Sequence, residues 1–156
     1  MLPPNLIVEP RVRVRVDVQS KKRLLEALAS ALAVAVPGLA ADSIFDRLNE
    51  RERLGSTGLG HGIALPHARV REVDDAIGAF VQLRDGVAFD ALDNRPVDLA
   101  FGLLVPEAAN ERHLELLSQL ASMFNDPALR QALRDCTAPQ QVLVLLNGHG
   151  SNAPES

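Results

Sequence analysis

The 156-residue sequence contains no tryptophan and no tyrosine, so it lacks most of the rings on which nucleic-acid bases stack. Its formal net charge is -4, and its 16 basic residues are scattered along the chain. A nucleic-acid surface needs a basic patch. We therefore expect no nucleic-acid partner.

Cysteine and long apolar runs are also scarce. Cys136 is the single cysteine, which excludes a disulfide within the chain and favours a small buried side chain over a nucleophile. No apolar run approaches the roughly 20 residues that cross a bilayer, and no signal-peptide pattern begins the chain. We expect a cytoplasmic protein that is not membrane-embedded, and we assign it no cofactor.

What the chain does have is the composition of a globular protein, with 47% hydrophobic and 23% charged residues. Its length suits one domain, which we place at residues 5–147. Residues 148–156 should form a disordered tail in which His149 is inert.

Periodicity predicts how strands and helices alternate. Strict alternation over Arg11–Val18 predicts a strand with valines facing the core and arginines facing water. Ser20 should cap a helix that stops before Pro37, and Asp42 or Ser43 should cap a second helix that ends at Gly55. Later segments read as strands at Ala76–Leu83, at Pro96–Pro106 and, between them, at 86–90.

From Asn110 the pattern becomes helical, and Pro127 and Pro139 open two further helices. The apolar stripe of the first helix is predicted to be Leu114, Leu117, Leu120, Ala121 and Phe124. The two long strands are joined too closely for a parallel crossover, so the sheet should be mixed. The fold class is therefore α/β, a three-layer single domain with a mixed β-sheet flanked by helices.

The segment "GSTGLGHGIALPHARV", Gly55 to Val70, is unlike an ordinary core strand. A neutral imidazole with an unperturbed pKa near 6.5 is available as a nucleophile at neutral pH, which suits His67 to phosphoryl acceptance. Pro66 restricts the backbone just before it. His61, His67 and His113 could instead be metal ligands, but their spacing is not that of usual zinc signatures, and we assign no metal.

With its flanks, this segment, "RERLGSTGLGHGIALPHARV", resembles the signature of the phosphotransferase-system (PTS) enzyme IIA domain of the fructose/mannitol type, EIIA type-2, most closely its nitrogen-regulatory branch. The resemblance extends to "SKKRLLEALASALA", "FDALDNRPVDLAFGLLVP" and "RHLELLSQLASMF".

The resemblance implies a phosphotransferase component that forms a phosphohistidine at His67, with His113 and Arg51 beside it. The alternatives are that His113 is an exposed helix residue and Arg51 a solvated partner of neighbouring acidic residues. Phosphoryl transfer needs donors aimed at the phosphoryl oxygens.

Three residues of the glycine-rich loop are assigned to phosphate binding, namely Ser56, Thr57 and Gly62. Leu59 is assigned to partner docking, whereas Ile63 and Leu65 could be core instead.

The implied donor is a histidine-phosphorylated carrier protein of the HPr or NPr type. In the favoured hypothesis, phosphorylation controls binding to regulated proteins such as potassium transport systems or sensor kinases. One alternative is a sugar-specific IIA component that passes phosphate to a IIB unit. A second is a protein-binding module that works without phosphorylation.

Overall fold

The computed structural model describes residues 2–108 and 110–149. Its strands are β1 (Val12–Val16), β2 (Gly58–Gly60), β3 (Ile63–Ala64), β4 (His67–Val70), β5 (Ile77–Val87) and β6 (Val97–Pro106). Its helices are α1 (Lys21–Ala33), α2 (Ala41–Arg53), α3 (Glu111–Met123), α4 (Pro127–Arg134) and α5 (Pro139–Gly148).

The strands form one mixed sheet in the order β1-β5-β6-β3-β2, in which β4 also pairs with β6. β5 and β6 are antiparallel, as their short connection predicted, and β1 runs parallel to β5. β3 and β4 follow one another along the same side of β6, the first opposite Leu99 and the second opposite Leu103.

Helices cover both faces of the sheet. The buried side chains of α1 and α2 pack with one core cluster, and those of α3, α4 and α5 pack with a second. The predicted three-layer α/β fold with a mixed sheet is confirmed.

The alternating segment at the start of the chain does not keep its valines on one face. Val12 belongs to the core beneath α3–α5, whereas Val16 packs against the core beneath α1 and α2. Between them the pairing with β5 shifts register, and Arg15 has a positive φ of 55°. An irregular residue in a strand moves the side chains that follow to the opposite face.

The prediction that the arginines of this strand face water is wrong for Arg11, which is buried. Its Nε donates to the carbonyl of Gly78 at 2.8 Å, and its Nη2 donates to the carbonyls of Asn5 and Leu6 at 3.1 Å. A buried guanidinium is stable here because several carbonyls accept its hydrogens.

Helix starts were predicted with mixed success. Ser20 caps α1 as expected, its hydroxyl accepting the N–H of Arg23 at 3.2 Å. The expected cap of α2 is wrong: Ala40 holds that position without a side-chain bond, and Asp42 and Ser43 lie inside the first turn. The separate strand at 86–90 is also wrong, because β5 continues unbroken to Val87.

The buried stripe of α3 is rotated from the predicted one. It consists of His113, Leu116, Leu120 and Met123. Leu114 is 62% exposed, so its assignment to the core is wrong. This rotation places a histidine, rather than a leucine, on the face that packs against the sheet.

The C-terminal end is ordered further than predicted. Gly148 is the last residue of α5, and Nε2 of His149 lies 3.2 Å from Oδ2 of Asp126. Residues 150–156 of the predicted tail lie outside the described residues. Cys136 is buried as expected, and burial raises the pKa of its thiol.

Candidate functional site

A cavity of about 400 Å³ opens where the C-terminal half of α2, strand β4 and the start of α3 meet. We call it the His67 cavity. Its lining residues are Arg47, Glu50, Arg51, Leu54, His67, Ala68, Arg69, Val105, His113, Leu114 and Leu117. It therefore brings together His67, Arg51 and His113, which lie far apart in the sequence.

The backbone before His67 is anchored on both sides. The N–H of Leu65 donates to the carbonyl of Thr57 at 3.0 Å, and the carbonyl of Pro66 accepts from the N–H of Leu103 at 2.9 Å. His67 then begins β4 with its side chain partly exposed. These bonds fix the strand end that carries the imidazole.

The imidazole of His67 is oriented by its own chain. Nδ1 lies 2.9 Å from the carbonyl oxygen of Leu65. Because a carbonyl only accepts hydrogen bonds, Nδ1 carries the proton of the neutral ring. Nε2 is then left with an unshared electron pair, as a nucleophile requires.

The surroundings favour this neutral form. Burial lowers the pKa of His67 below its ordinary value of 6.5, and the positive charge of Arg51 lowers it further. The bond to Leu65 and the negative charge of Glu52 act in the opposite direction, but the net shift is downward. The neutral ring is therefore the major form at pH 7.

Three arginines give the cavity a positive field. Nη1 of Arg51 donates to the carbonyl of Gly55 at 2.9 Å, which holds its guanidinium at the end of α2. Nη1 of Arg47, one turn earlier, lies 3.3 Å from the carbonyl of Arg69. Arg69 is the third arginine, and the lining contains one acidic side chain, Glu50. Such a site favours an anionic group such as a phosphoryl.

His113 is buried at the other side of the cavity, so the alternative of an exposed helix residue is wrong. Its Nδ1 accepts the N–H of Asn110 at 3.2 Å, which completes the cap of α3. The proton of the neutral ring therefore lies on Nε2. This Nε2 makes no hydrogen bond among the described residues and lies 3.6 Å from Oδ1 of Asp75. This nitrogen is itself buried and faces the carboxylate of Asp75.

The hydroxyls expected beside the phosphoryl group are used elsewhere. Oγ of Ser56 donates to the carbonyl of Phe89 at 3.0 Å. Oγ1 and N–H of Thr57 both donate to the carboxylate of Glu52, at 2.5 and 2.8 Å. Neither residue lines the His67 cavity. Both residues stabilise the loop, and the two hydrogen bonds from Thr57 offset part of the free-energy cost of burying the Glu52 carboxylate.

Two other predicted residues also lie outside this cavity. Gly62 lines a second cavity, and Leu59, in β2, is 37% exposed and lines neither. Ile63 and Leu65 are buried, in agreement with the alternative that they are core residues.

The structure separates the three histidines considered as metal ligands. His67 and His113 line the same cavity, whereas His61 lines the second one. Their imidazoles therefore do not converge on one point, which is what a metal centre requires.

Sequence reasoning missed eight of the eleven residues that line the His67 cavity, among them Arg47, Arg69, Leu54 and Leu114. A signal existed for the two arginines. Arg47 lies four residues before Arg51 on a helix, and Arg69 lies two residues after His67 on a strand, so each shares a face with a predicted site residue. The two leucines carried no such signal, although they are 84% and 62% exposed.

Comparison with known proteins shows the family to which the chain belongs. Residues 5–149 match the family model described as "Phosphoenolpyruvate-dependent sugar phosphotransferase system, EIIA 2". The chain belongs to this family. As a type-2 EIIA domain it is a phosphotransfer component of the PTS.

Relatives within the family indicate its branch. The chain is 49% identical over 142 residues to a nitrogen regulatory protein of Pseudomonas aeruginosa, covering 91% of this chain and 92% of that protein. It is 28% identical to a fructose-specific EIIABC component of Bacillus subtilis, covering 93% of this chain and 23% of that protein.

A solved structure, the nitrogen regulatory protein IIA-Ntr of Neisseria meningitidis, superimposes with a TM-score of 0.85. That protein is 41% identical, with 90% of this chain and 96% of that chain covered. These relatives support a regulatory role of the IIA type. Among the described residues, no helix is long and apolar enough to cross a membrane.

Proposed function

We propose that His67 accepts a phosphoryl group on Nε2 from a histidine-phosphorylated carrier protein of the HPr or NPr type. The observation that supports this most directly is the 2.9 Å contact of Nδ1 with the carbonyl of Leu65, which leaves Nε2 unprotonated in a cavity lined by three arginines. In this proposal the charge state of His67 then decides which regulated proteins bind.

The transfer needs no proton movement at His67. The electron pair of Nε2 forms a bond to phosphorus, and the phosphorus–nitrogen bond of the carrier's phosphohistidine breaks, returning its electron pair to the carrier imidazole. Nδ1 keeps its proton and its bond to Leu65 throughout. The protein contributes positioning and charge, which is what phosphoryl transfer demands.

Arg51 and Arg47 supply the charge. Their guanidiniums would meet the oxygens of the phosphoryl group as it arrives, and charge-assisted bonds of this type are stronger than neutral ones. In this proposal the Nε2–H of His113, which faces Asp75 in this structure, becomes a third donor when the phosphoryl group arrives. A phosphoryl group adds up to about two negative charges there and would reverse the local field.

The regulatory branch is favoured by identity: 49% to a nitrogen regulatory protein against 28% to the fructose-specific component. Potassium transport systems and sensor kinases are the partner classes that we propose for this branch. The alternative, transfer from His67 to a IIB unit, uses the same cavity and would appear as onward transfer to a cysteine. A module independent of phosphorylation would keep its partners after His67→Ala.

The test is incubation of the purified chain with carrier protein, enzyme I and phosphoenolpyruvate, followed by intact and peptide mass spectrometry. We expect one added phosphoryl group on His67, lost in acid and stable in alkali. His67→Ala should gain none, while His61→Asn, outside the cavity, should be phosphorylated normally. Phosphorylation that persists in His67→Ala would overturn the assignment.

A further inference from the structure

A second cavity, of about 410 Å³, lies at the opposite end of β6. We call it the Arg134 cavity. Its lining residues are His61, Gly62, Gly86, Arg95, Pro96, Asp98, Arg130 and Arg134. Asp98 belongs to this cavity and Val105 to the His67 cavity, and they lie seven residues apart on one strand. At about 3.3 Å per residue, the two cavities are on the order of 20 Å apart.

The Arg134 cavity is built around a fixed guanidinium. Arg134 binds Asp98 through two parallel bonds, Nε to Oδ2 at 2.9 Å and Nη2 to Oδ1 at 3.0 Å. Nη2 also donates to the carbonyl of His61 at 2.6 Å. This geometry leaves Nη1 of Arg134 without a partner among the described residues. Because the guanidinium is held in place, the N–H groups of Nη1 point in a fixed direction.

Arg130 and Arg95 line the same cavity, and each has guanidinium N–H groups without a partner among the described residues. Arg130 donates from Nη1 to the carbonyl of Phe124 at 3.0 Å, and no contact within residues 2–108 and 110–149 uses its other guanidinium nitrogens. The side chain of Arg95 is exposed and makes no hydrogen bond or ion pair in that part of the chain. Three arginines and the carboxylate of Asp98 line the cavity, and the carboxylate of Asp93 accepts the backbone N–H groups of His61 and Arg95 beside it. The arginines still outnumber these two acidic groups, in a chain whose net charge is -4.

The β2–β3 hairpin presents a histidine at this cavity in an uncommon position. His61 and Gly62 are its two loop residues, and both have positive φ, 57° and 81°. Such two-residue loops favour Asn-Gly or Asp-Gly. The backbone of His61 is nevertheless clamped, its N–H donating to Asp93 at 2.8 Å and its carbonyl accepting from Arg134.

Gly62 is required for the same arrangement. A Cβ at this position would collide with Nη2 of Arg134 and would lie 2.7 Å from Oδ1 of Asp98. The glycine assigned from sequence to phosphate binding at His67 therefore makes room for a different guanidinium. Nothing in the transfer at His67 uses this glycine, His61 or these three arginines.

We propose that the Arg134 cavity binds a small phosphate-bearing anion as a second site, independent of phosphorylation at His67. Guanidiniums that reach one space from α4 and from the loop before β6 suit an anion with several oxygens on different sides, and the side chain of His61 adds a donor or acceptor at the rim. The cavity volume suits a ligand larger than the free ion, such as a phosphate monoester.

The experiment is an amide NMR titration of the ¹⁵N-labelled chain with inorganic phosphate and then phenyl phosphate, at constant ionic strength set with sodium chloride. We expect saturable shifts at residues 61–62, 95–98 and 130–134. Arg95→Ala with Arg130→Ala should weaken this binding at least about tenfold, the loss expected for removed charge-assisted bonds. His61→Asn, which suits the hairpin, should weaken it less and keep the fold.

Arg51→Ala is the matched control, because it removes an arginine from the His67 cavity alone. It should leave the shifts around Arg134 unchanged. Shifts confined to the neighbourhood of His67, shifts that sodium chloride reproduces, or no saturation up to about 20 mM phosphate, well above the millimolar range of weak specific binding, would each overturn the proposal. If the double variant melts early, the His61→Asn titration decides the question.

Discussion

The Nδ1 atom of His67 lies 2.9 Å from the carbonyl oxygen of Leu65, two residues earlier in the same chain. In the proposed transfer, this short local contact decides which nitrogen reacts. It needs no second side chain, because the carbonyl belongs to a backbone that is already anchored to Thr57 and Leu103. A change in the Leu65–His67 segment that breaks this contact would therefore alter which nitrogen carries the proton.

The first prediction is that the phosphoryl group is attached to Nε2 of His67. Nδ1 is occupied by a proton held on the Leu65 carbonyl, so only Nε2 offers an electron pair. Long-range ¹H–¹⁵N NMR spectra of the phosphorylated, ¹⁵N-histidine-labelled chain distinguish the two nitrogens. Phosphorus on Nδ1 would show that the bond to Leu65 does not control reactivity.

The second prediction concerns pH. Burial and the Arg51 charge both disfavour the imidazolium of His67, so its pKa lies below 6.5. The rate of phosphoryl acceptance should fall as pH falls through that pKa, because a proton then occupies Nε2. Arg51→Ala removes a cation and should raise the midpoint, whereas Arg51→Lys should change it less.

The titration can be read directly from the Cε1–H signal of His67 in ¹H–¹³C spectra recorded between about pH 4 and 8, a range that brackets the ordinary histidine pKa. A midpoint above 6.5 for His67 would contradict the prediction, as would a downward shift in Arg51→Ala.

The third prediction is a graded loss of transfer. His67 supplies the bond-forming atom, so His67→Ala should abolish phosphorylation. Arg51→Ala, His113→Ala and Arg47→Ala each remove one group that lines the cavity and should slow transfer by about 10²-fold, as loss of one transition-state donor does. Rapid-quench assays with the phosphorylated carrier measure these rates.

Arg53→Ala is the control, because this arginine lies in the same turn of α2 as Arg51 but outside the cavity. It should transfer at the wild-type rate. Wild-type rates in all three cavity variants would mean that the side chains lining the cavity do not stabilise the phosphoryl group.

Much of the fold followed from periodicity and caps. The leucines after Ser20 and the long apolar strands specify their elements locally, so α1, β5 and β6 could be placed from the residue pattern alone. The bulge at Arg15 could not, since its side-chain partner Gln82 lies 67 residues away in sequence. The rotation of α3 was missed because His113 is buried by its neighbours in space, although its residue type suggests exposure.

The site was predicted in the same uneven way. The motif identified His67, and resemblance supplied Arg51 and His113, all of which line one cavity. Arg47 and Arg69 enter that cavity only because α2 packs beside β4, which no local pattern reveals. Ser56 and Thr57 lie outside that cavity, and their hydroxyls bond to Phe89 and Glu52, which a residue pattern in a glycine-rich loop does not reveal.

Thr57 therefore carries the fourth prediction. Its hydroxyl donates to the buried carboxylate of Glu52, so Thr57→Val should lower the free energy of unfolding by about 1–3 kcal/mol. The transfer rate of the folded protein should stay within about twofold, because the hydroxyl does not line the His67 cavity. Chemical denaturation and rapid-quench transfer are measured on the same preparations. Thr57→Ser, which keeps the hydroxyl, should be close to wild type in both; slow transfer at unchanged stability would return Thr57 to the phosphate site.

The last prediction separates two docking surfaces. Leu54 and Leu114 are exposed and line the His67 cavity, whereas Leu59 is exposed at a strand outside it. A carrier that brings its phosphohistidine to Nε2 must cover the cavity mouth, so it should bury the first two leucines.

Leu54→Ala and Leu114→Ala should each raise the KM for the carrier about tenfold with little change in kcat, since each removes roughly 1–2 kcal/mol of apolar contact. Alanine adds no charge beside His67, and all three sites are exposed, so the melting temperature should change little. Leu59→Ala is the matched comparison: a raised KM there, with normal values at Leu54 and Leu114, would place the carrier on the glycine-rich loop instead.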